Sequence, residues 1–421
     1  MSDAPRLAGP ALIYTLSGAL SAAVPFLLLP LLTRLLTPEE YGTVAMFALV
    51  VTVAGAFTGL STNGAINVRY FERDRFDLPR YIASCLAILA ASTVAFLLLA
   101  TAALPRLTAW TKLPAEWLLV AVLIAAAQFI VQLRLALWQS AGAVWSFAAT
   151  RTGQAGIDAV LSLLLILAFG LTWQGRLEGI ALAAIASSVF CLLSLQRGRW
   201  ISWPPSRAYV VDALRFGVPL VPHMIGSLLV LMADRLLISN VLDVGSTGIY
   251  MVGMQMGMVL GLLTDAFNRA YAPWLMRSLG REDLARDRKV VRRTYLYFVV
   301  VLVAALAYGT LAPTLLSWLV GPRYQAAAPV VVYVALGFAF GGMYYMVTNY
   351  VFFAGRTAGL AAITFGSGLF NVVITYYLLQ RNGVIGAAQG FMLSQAATFL
   401  GTWWLAQKSR PMPWRRFAEV E

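Results

Sequence analysis

The sequence predicts an all-α, polytopic membrane protein with twelve transmembrane helices in two six-helix lobes around a central cavity. Three observations support this fold class: an apolar composition, long uninterrupted apolar segments, and basic residues concentrated on one side. Of 421 residues, 60% are hydrophobic and only 12% are charged, whereas soluble domains carry roughly 25% charged residues. A chain with so few charges lacks the polar surface that a water-soluble globule requires.

The apolar segments have the length needed to cross a bilayer. A transmembrane helix needs roughly 20 mostly apolar residues, and charged residues, prolines and glycines divide the sequence into twelve such segments with short connections. The predicted spans are 11–36, 41–67, 81–104, 116–138, 144–172, 177–196, 209–241, 247–276, 291–319, 326–353, 358–380 and 384–407. The first apolar segment exceeds the roughly 7–15 residues of a signal-peptide core, so it is expected to remain as span 1.

The basic residues orient the predicted spans. If the N-terminus is cytoplasmic, 24 of the 31 Lys and Arg residues fall at the inner ends and loops, and seven fall on the other side. Basic residues accumulate on the cytoplasmic side of membrane proteins. The distribution therefore predicts that both termini are cytoplasmic and accounts for much of the net charge of +13. Nucleic acid is not an expected partner.

Local signals mark the start of the second span and exclude a metal centre. Thr37 is followed by Pro38 and by Glu40, which predicts a capping box with proline at the first helical position.

The two cysteines, Cys85 and Cys191, lie in apolar segments and have neither metal-ligand nor disulfide spacing. No metal and no cofactor is expected.

A polar, proline-rich segment divides the spans into two groups of six. The predicted organisation is an N-terminal lobe, a cytoplasmic linker, a C-terminal lobe and a cytoplasmic tail, at 1–196, 197–208, 209–407 and 408–421. Residues 141–158 match 354–371 at five positions with a constant offset of 213, which sets Asp158 opposite Asn371. Such a repeat predicts two similar lobes with the substrate path between them.

Three stretches carry a resemblance to a known family. They are LPLLTRLLTPEEYG (29–42), DRLLISNVLDVGSTGIYMVG (234–253) and NVVITYYLLQRNGVIGAAQG (371–390). They resemble Wzx-type oligosaccharide-lipid flippases of the multidrug/oligosaccharidyl-lipid/polysaccharide (MOP) exporter superfamily. The resemblance implies a V-shaped bundle whose cavity opens alternately to each side of the bacterial cytoplasmic (inner) membrane. It also implies that the cargo is an undecaprenyl-diphosphate-linked oligosaccharide, which is moved from the inner to the outer leaflet. Membrane lipids and a polysaccharide polymerase are the other expected partners.

Charged residues inside the predicted spans are the candidate functional residues. A charge at the centre of a spanning helix costs at least ~2.5–3.5 kcal/mol, so each one suggests a function. Arginine binds phosphate bidentately and stays charged, and a carboxylate in a span is able to couple transport to H+ or Na+. The candidate substrate-binding residues are Arg34, Arg134, Arg235 and Arg269, and the candidate coupling residues are Asp158, Asp234 and Asp265.

Structural roles are the alternative for the same residues. Asp265 and Arg269 are spaced to form an ion pair within one helix. Arg134 lies close enough to its span end to reach the interface. For Asp234 and Arg235, the alternative is a structural ion pair across helices that takes no part in transport.

Two other functions remain open on the sequence alone. One is a cation-coupled exporter of the same superfamily with another cargo, namely the peptidoglycan lipid, a drug or a metabolite. The other is a multispan glycosyltransferase that uses a polyprenyl donor and for which Glu39 and Glu40 are the candidate carboxylates. Helix capping explains that pair, and the sequence has no nucleotide-binding or nucleophile motif. We therefore predict a transporter without enzymatic activity.

Overall fold

The computed structural model describes residues 4–279, 284–354 and 357–414. All regular secondary structure in these residues is helical, which confirms the predicted all-α class. Contacts divide the chain into two compact units, Met1–Leu228 and Leu229–Glu421. The predicted linker, 197–208, lies inside the first unit, and the division into lobes at that linker remains a prediction.

Nine helices form most of the first unit. They are α1 (Ala4–Leu35), α2 (Pro38–Phe57), α3 (Asn63–Arg69), α4 (Leu78–Ala102), α5 (Leu104–Thr111), α6 (Ala115–Ser140), α7 (Val144–Phe169), α8 (Trp173–Arg197) and α9 (Arg207–Gly217). The next helix, α10 (Leu220–Val241), passes from the first unit into the second.

The predicted capping box at the start of α2 is confirmed. The backbone N–H of Glu40 donates to Thr37 Oγ1 at 3.2 Å, and the backbone N–H of Thr37 donates to Glu40 Oε2 at 2.8 Å. Pro38 occupies the first turn, where its missing N–H costs no hydrogen bond. The carboxylate of Glu40 is therefore used to start a helix.

Predicted span 2 ends earlier than expected. It was predicted over 41–67, but α2 ends at Phe57 and a short 3-10 helix, Gly59–Ser61, precedes α3. Gly59 has a φ of +71°, and a methyl group added there would lie 2.2 Å from the Phe129 ring of α6. Glycine adopts this backbone conformation at little cost. Leu60 and Ser61 also have positive φ, of 50° and 57°, so three consecutive residues with positive φ interrupt the helix.

Helix α9 and the segment before it pack against the start of α4. Asp212 of α9 accepts hydrogen bonds from Arg69 Nε at 2.9 Å, Arg69 Nη2 at 2.8 Å and the Tyr81 hydroxyl at 2.9 Å. The backbone N–H of Ser206 donates to Ser84 Oγ at 3.1 Å. The end of the segment predicted as a linker is thus held on α4 through the backbone of Ser206, and α9, which follows it, is held through the side chain of Asp212.

The second unit continues α10 with four long helices. They are α11 (Val244–Leu279), α12 (Leu284–Leu319), α13 (Ala328–Phe353) and α14 (Thr357–Ser409), with a 3-10 helix at Pro322–Ala327. Helix α13 packs against α11, α12 and α14.

Small residues allow α11 to pack closely on α13. Gly253, Gly257 and Gly261 recur every four residues along one face of α11. A methyl group added at each would lie within 2.6 Å of a side chain on α13, belonging to Val330, Val334 and Phe338 respectively. Small residues at such spacing let helix backbones approach closely inside a membrane.

Helix α14 is two helices joined at Gly383. This glycine has a φ of +57° and interrupts the helical backbone. The Ser394 hydroxyl donates to the carbonyl of Ser367 at 3.2 Å, so the first arm (357–382) and the second arm (384–409) lie side by side. These arms correspond to predicted spans 11 and 12.

Ten stretches of the described residues are long and apolar enough to cross a membrane. This confirms a polytopic membrane protein but does not confirm the count of twelve. One difference is that 359–409 is a single stretch although it bends at Gly383. Most of predicted span 7 lies in α10, where several side chains fall outside the described residues.

Candidate functional site

The best-connected intramembrane charge is Asp158 of α7, which pairs with Arg176 of α8. Arg176 Nη1 lies 2.5 Å from Asp158 Oδ1, and Arg176 Nη2 lies 3.1 Å from Asp158 Oδ2. Ser162, one turn further along α7, accepts from Arg176 Nη1 at 2.6 Å. The two charged side chains are 24% and 11% exposed, respectively. This is a bidentate, largely buried ion pair between two adjacent helices.

Close helix packing positions this pair. A methyl group added at Gly179 of α8 would lie 2.3 Å from Ser162 Oγ and 2.7 Å from Ser162 Cα. Because glycine has no side chain, the two helices approach closely one turn away from Arg176. The approach brings the guanidinium within reach of Asp158, about three turns before the end of α7.

The second unit contains the same pair of helices without the charges. Helices α6 and α13 begin and end 213 residues apart, and so do the first residues of α7 and α14. At the positions of Asp158 and Ser162, this unit has Asn371 and Thr375, and the Thr375 hydroxyl donates to Asn371 Oδ1 at 3.3 Å.

The close helix contact is also repeated. Gly390 approaches Thr375 as Gly179 approaches Ser162, with an added methyl group 2.2 Å from Thr375 Oγ1. Arg176 lies three residues before Gly179. The residue three positions before Gly390 is Ala387, which is fully buried. The second unit therefore keeps the helix packing and replaces the ion pair with an amide and an alanine.

Arg134 lies between α6 and α8 and is only 7% exposed. Its Nε and Nη2 donate to Ser194 Oγ at 3.1 and 2.8 Å, and its guanidinium lies 4.3 Å from the centre of the Trp138 ring. The side chain is turned into the helix packing, which is not the snorkelling arrangement considered from the sequence.

Asp234 and Arg235 lie on α10, where Asp234 is buried. Its carboxylate accepts a hydrogen bond from the Tyr250 hydroxyl of α11 and from the backbone N–H of Arg235, the latter at 2.9 Å. Arg235 Nε is buried and has no hydrogen-bond partner among the described residues. The geometry gives Asp234 a tyrosine partner and leaves one donor of the adjacent arginine unsatisfied.

Asp265 and Arg269 form the predicted ion pair one turn apart on α11, with Arg269 Nε and Nη2 both 2.9 Å from Asp265 Oδ2. They are 37% and 65% exposed. On the same helix, Asn268 accepts from Asn349 Nδ2 of α13 at 3.1 Å. Arg34 is exposed in the last turn of α1.

The structure thus brings only some of the predicted residues into contact. Asp158 and Arg134 both contact α8, through Arg176 and Ser194. The sequence reasoning missed Arg176, which it counted only as a charge on the outer side. Its separation of 18 residues from Asp158 was a usable signal, because a tight turn at Gly170 folds α8 back along α7.

Within the described residues, no group of three or more His, Cys, Asp or Glu is placed to hold a metal ion.

Comparisons with known proteins agree with this fold. A protein of the Lsg locus of Haemophilus influenzae is 22% identical over 348 residues, which is 82% of this chain and 84% of that protein. The structure of the lipid II flippase MurJ in an inward closed conformation superposes with a TM-score of 0.75 at 11% identity, covering 94% of this chain and 87% of that one.

An inward-facing multidrug resistance MATE family transporter of the MOP superfamily superposes with a TM-score of 0.69 at 15% identity, covering 93% of this chain and 94% of that one. At these identities, the two structural likenesses show the fold. The first of these proteins is a flippase and the second is a transporter. Residues 8–279 match the family described as polysaccharide biosynthesis protein. The chain therefore belongs to the polysaccharide biosynthesis protein family.

Proposed function

We propose that this protein is a flippase that moves undecaprenyl-diphosphate-linked oligosaccharide repeat units from the inner to the outer leaflet of the bacterial cytoplasmic membrane by alternating access. The observation that carries the proposal is the match to the polysaccharide biosynthesis protein family over residues 8–279. In this proposal both termini are cytoplasmic. The undecaprenyl tail of the cargo moves through the surrounding membrane lipids, and a polysaccharide polymerase is the partner that receives the translocated oligosaccharide lipid.

The charges inside the helices support this kind of cargo. A diphosphate with attached sugars does not cross hydrocarbon without polar partners. Arginines provide planar, permanently charged donors for phosphate oxygens, and Arg235 has a buried donor that no described residue accepts. Arg34, Arg134 and Arg269 complete the proposed set of cations. Asp158, Asp234 and Asp265 are the proposed coupling residues, with H+ or Na+ as the ion.

A second candidate cargo has one specific observation in its favour. The structure of MurJ, which is a lipid II flippase, superposes on this chain with a TM-score of 0.75. The peptidoglycan lipid has the same polyprenyl diphosphate and differs in its sugars and peptide. The experiment must therefore compare the two lipids directly.

The test is transport in vesicles that contain the purified chain. Fluorescent undecaprenyl-diphosphate oligosaccharide, fluorescent lipid II and a cationic dye are supplied separately, and translocation is measured by protection from an external quencher. We expect the oligosaccharide lipid to move fastest and to move faster with an imposed H+ or Na+ gradient. Preferential movement of lipid II or of the dye would refute the proposed cargo.

A variant pair tests the residue assignment. Arg235→Gln removes the cation with the unsatisfied donor and is expected to reduce the transport rate at least tenfold, which corresponds to about 1.4 kcal/mol of activation free energy. Arg323→Gln is the matched control, because Arg323 is exposed in the 3-10 helix at Pro322–Ala327. Equal activity of the two variants would remove Arg235 from the proposed site.

A further inference from the structure

The chain builds the same helix hairpin twice and places an ion pair in only one copy. In the first unit, Asp158 and Arg176 face each other beside Ser162. In the second unit, an asparagine and a threonine occupy the matching positions on the first helix, and an alanine occupies the matching position on the second. Both copies keep the glycine contact that holds the helices together. The fold therefore does not require the charges.

An ion pair that the fold does not require needs another explanation. Taking two charges out of water costs several kcal/mol per ion, and an apolar or amide pair often packs as well. The second unit demonstrates the less costly solution within the same chain. This argues that the Asp158–Arg176 pair is retained for something that it does, and its geometry indicates what that is.

We propose that Arg176 is a phosphate-binding residue of the transport cycle and that Asp158 is its internal competitor. The carboxylate and a phosphate group each present two oxygens to one guanidinium, and arginine binds both in the same bidentate manner. A phosphate of the cargo displaces Asp158 from Arg176, and Asp158 returns when the phosphate leaves. This inference rests on the proposed function and names a site within it.

The exchange has a consequence for the released carboxylate. Once the phosphate holds Arg176, Asp158 retains only the Ser162 hydroxyl within hydrogen-bond distance, at 3.3 Å. An unpaired carboxylate inside a span is costly, so it takes up a proton or a sodium ion. Cargo binding and ion binding are thereby linked through one arginine.

The other ionisable groups around the pair do not replace Arg176. The helices packed against α7 are α1, α6 and α8. On these four helices the other ionisable groups with described side chains are Tyr14, Arg34, Glu116, Arg134, Arg151, Glu178, Cys191 and Arg197. Among the described residues, Asp158 forms its ion pair with Arg176.

The test is binding of farnesyl diphosphate, a soluble polyprenyl diphosphate, to the purified full chain. The competition predicts that Asp158→Asn increases affinity, because it releases Arg176. We expect about a tenfold lower Kd, equivalent to 1.4 kcal/mol. Arg176→Gln is expected to bind about tenfold more weakly than the wild type, and the double variant is expected to match Arg176→Gln. Arg176→Lys, which keeps the charge but not the planar fork, is expected to bind at an intermediate level.

Asp243→Asn is the matched control for loss of one carboxylate. Asp243 accepts from the backbone N–H of Ser246 at 2.6 Å at the start of α11, and asparagine caps helices equally well. Unchanged affinity in Asp158→Asn, or equal gains in Asp158→Asn and in the double variant, would overturn the proposal. If oligosaccharide transport fails while the gain in Asp158→Asn persists, only the proposed cargo is wrong. If transport holds and the gain is absent, only the exchange is wrong.

Discussion

The ion pair between Arg69 and Asp212 leads to a specific prediction about helix α9. Asp212→Asn keeps the size of the side chain and one acceptor oxygen, but it removes the charge that receives two bonds from Arg69 and one from Tyr81. Bonds to charged groups contribute about 1.5–3 kcal/mol each. The side chains of Arg69 and Asp212 are 22% and 28% exposed, so solvent screening reduces the loss to about 2 kcal/mol.

This loss is expected to appear as local opening of α9. A free-energy change of about 2 kcal/mol corresponds to roughly 30-fold faster amide exchange where exchange proceeds by local opening. Hydrogen exchange with mass spectrometry should therefore show faster exchange over 207–217 and little change in α6. Asp77→Asn is the matched control. The Asp77 side chain caps α4 by accepting from the backbone N–H of Arg80 at 3.3 Å, and asparagine keeps both this cap and the bond from the residue 77 backbone N–H to the Tyr209 hydroxyl of α9, at 3.0 Å.

The pair also sets an expectation for pH. The hydrogen bond to Asp212 raises the pKa of Arg69 above its already high ordinary value. A raised pKa gives stability that is present below the unfolded-state pKa and is lost only as pH rises through the folded-state pKa. Protection of α9 should therefore stay constant from neutral to mildly alkaline pH. Unchanged exchange in Asp212→Asn, or equal acceleration across the whole chain, would refute the reasoning.

Two further predictions concern single positions. Gly59→Ala forces a methyl group against the Phe129 ring at a φ of +71°. We expect the free energy of unfolding to fall by about 2–4 kcal/mol because of overpacking and backbone strain. The measurement is the unfolding temperature in detergent, and an unchanged temperature would contradict this prediction. Asp265→Asn breaks an exposed ion pair with Arg269 and should lower the free energy of unfolding by no more than about 0.5 kcal/mol. A larger fall in the unfolding temperature than this value predicts would show that Asp265 has partners beyond that pair.

Much of the fold was predictable because bilayer thickness constrains it. The length of the apolar segments identified most helices, and a strong local signal such as Thr37 and Glu40 located a helix start to the residue. The break after Phe57 was not predictable, because the chain there packs against the ring of Phe129, which lies 70 residues further along the sequence than Gly59. Hydropathy does not contain that contact.

The candidate site was predictable in its residue types and less so in its partners. Sequence reasoning found Asp158 because a charge in an apolar segment is conspicuous, but it overlooked Arg176 near the end of its span. The buried pairing of Arg134 with Ser194 was hidden for a different reason, because a serine gives no hydropathy signal. Intrahelical pairs such as Asp265 with Arg269 were predictable because four-residue spacing determines the geometry.

The glycine contacts between α11 and α13 have a mechanical consequence. Three successive turns of α11 have no clearance for even one additional methyl group, so any sliding along α13 would drive side chains of the partner into the backbone. The two helices must then move as a single rigid element during a transport cycle. Gly366, in contrast, has no atom within 4 Å of an added methyl group. A spectroscopic label at Gly366 would report movement of the second unit without disturbing the contact that keeps α11 and α13 together.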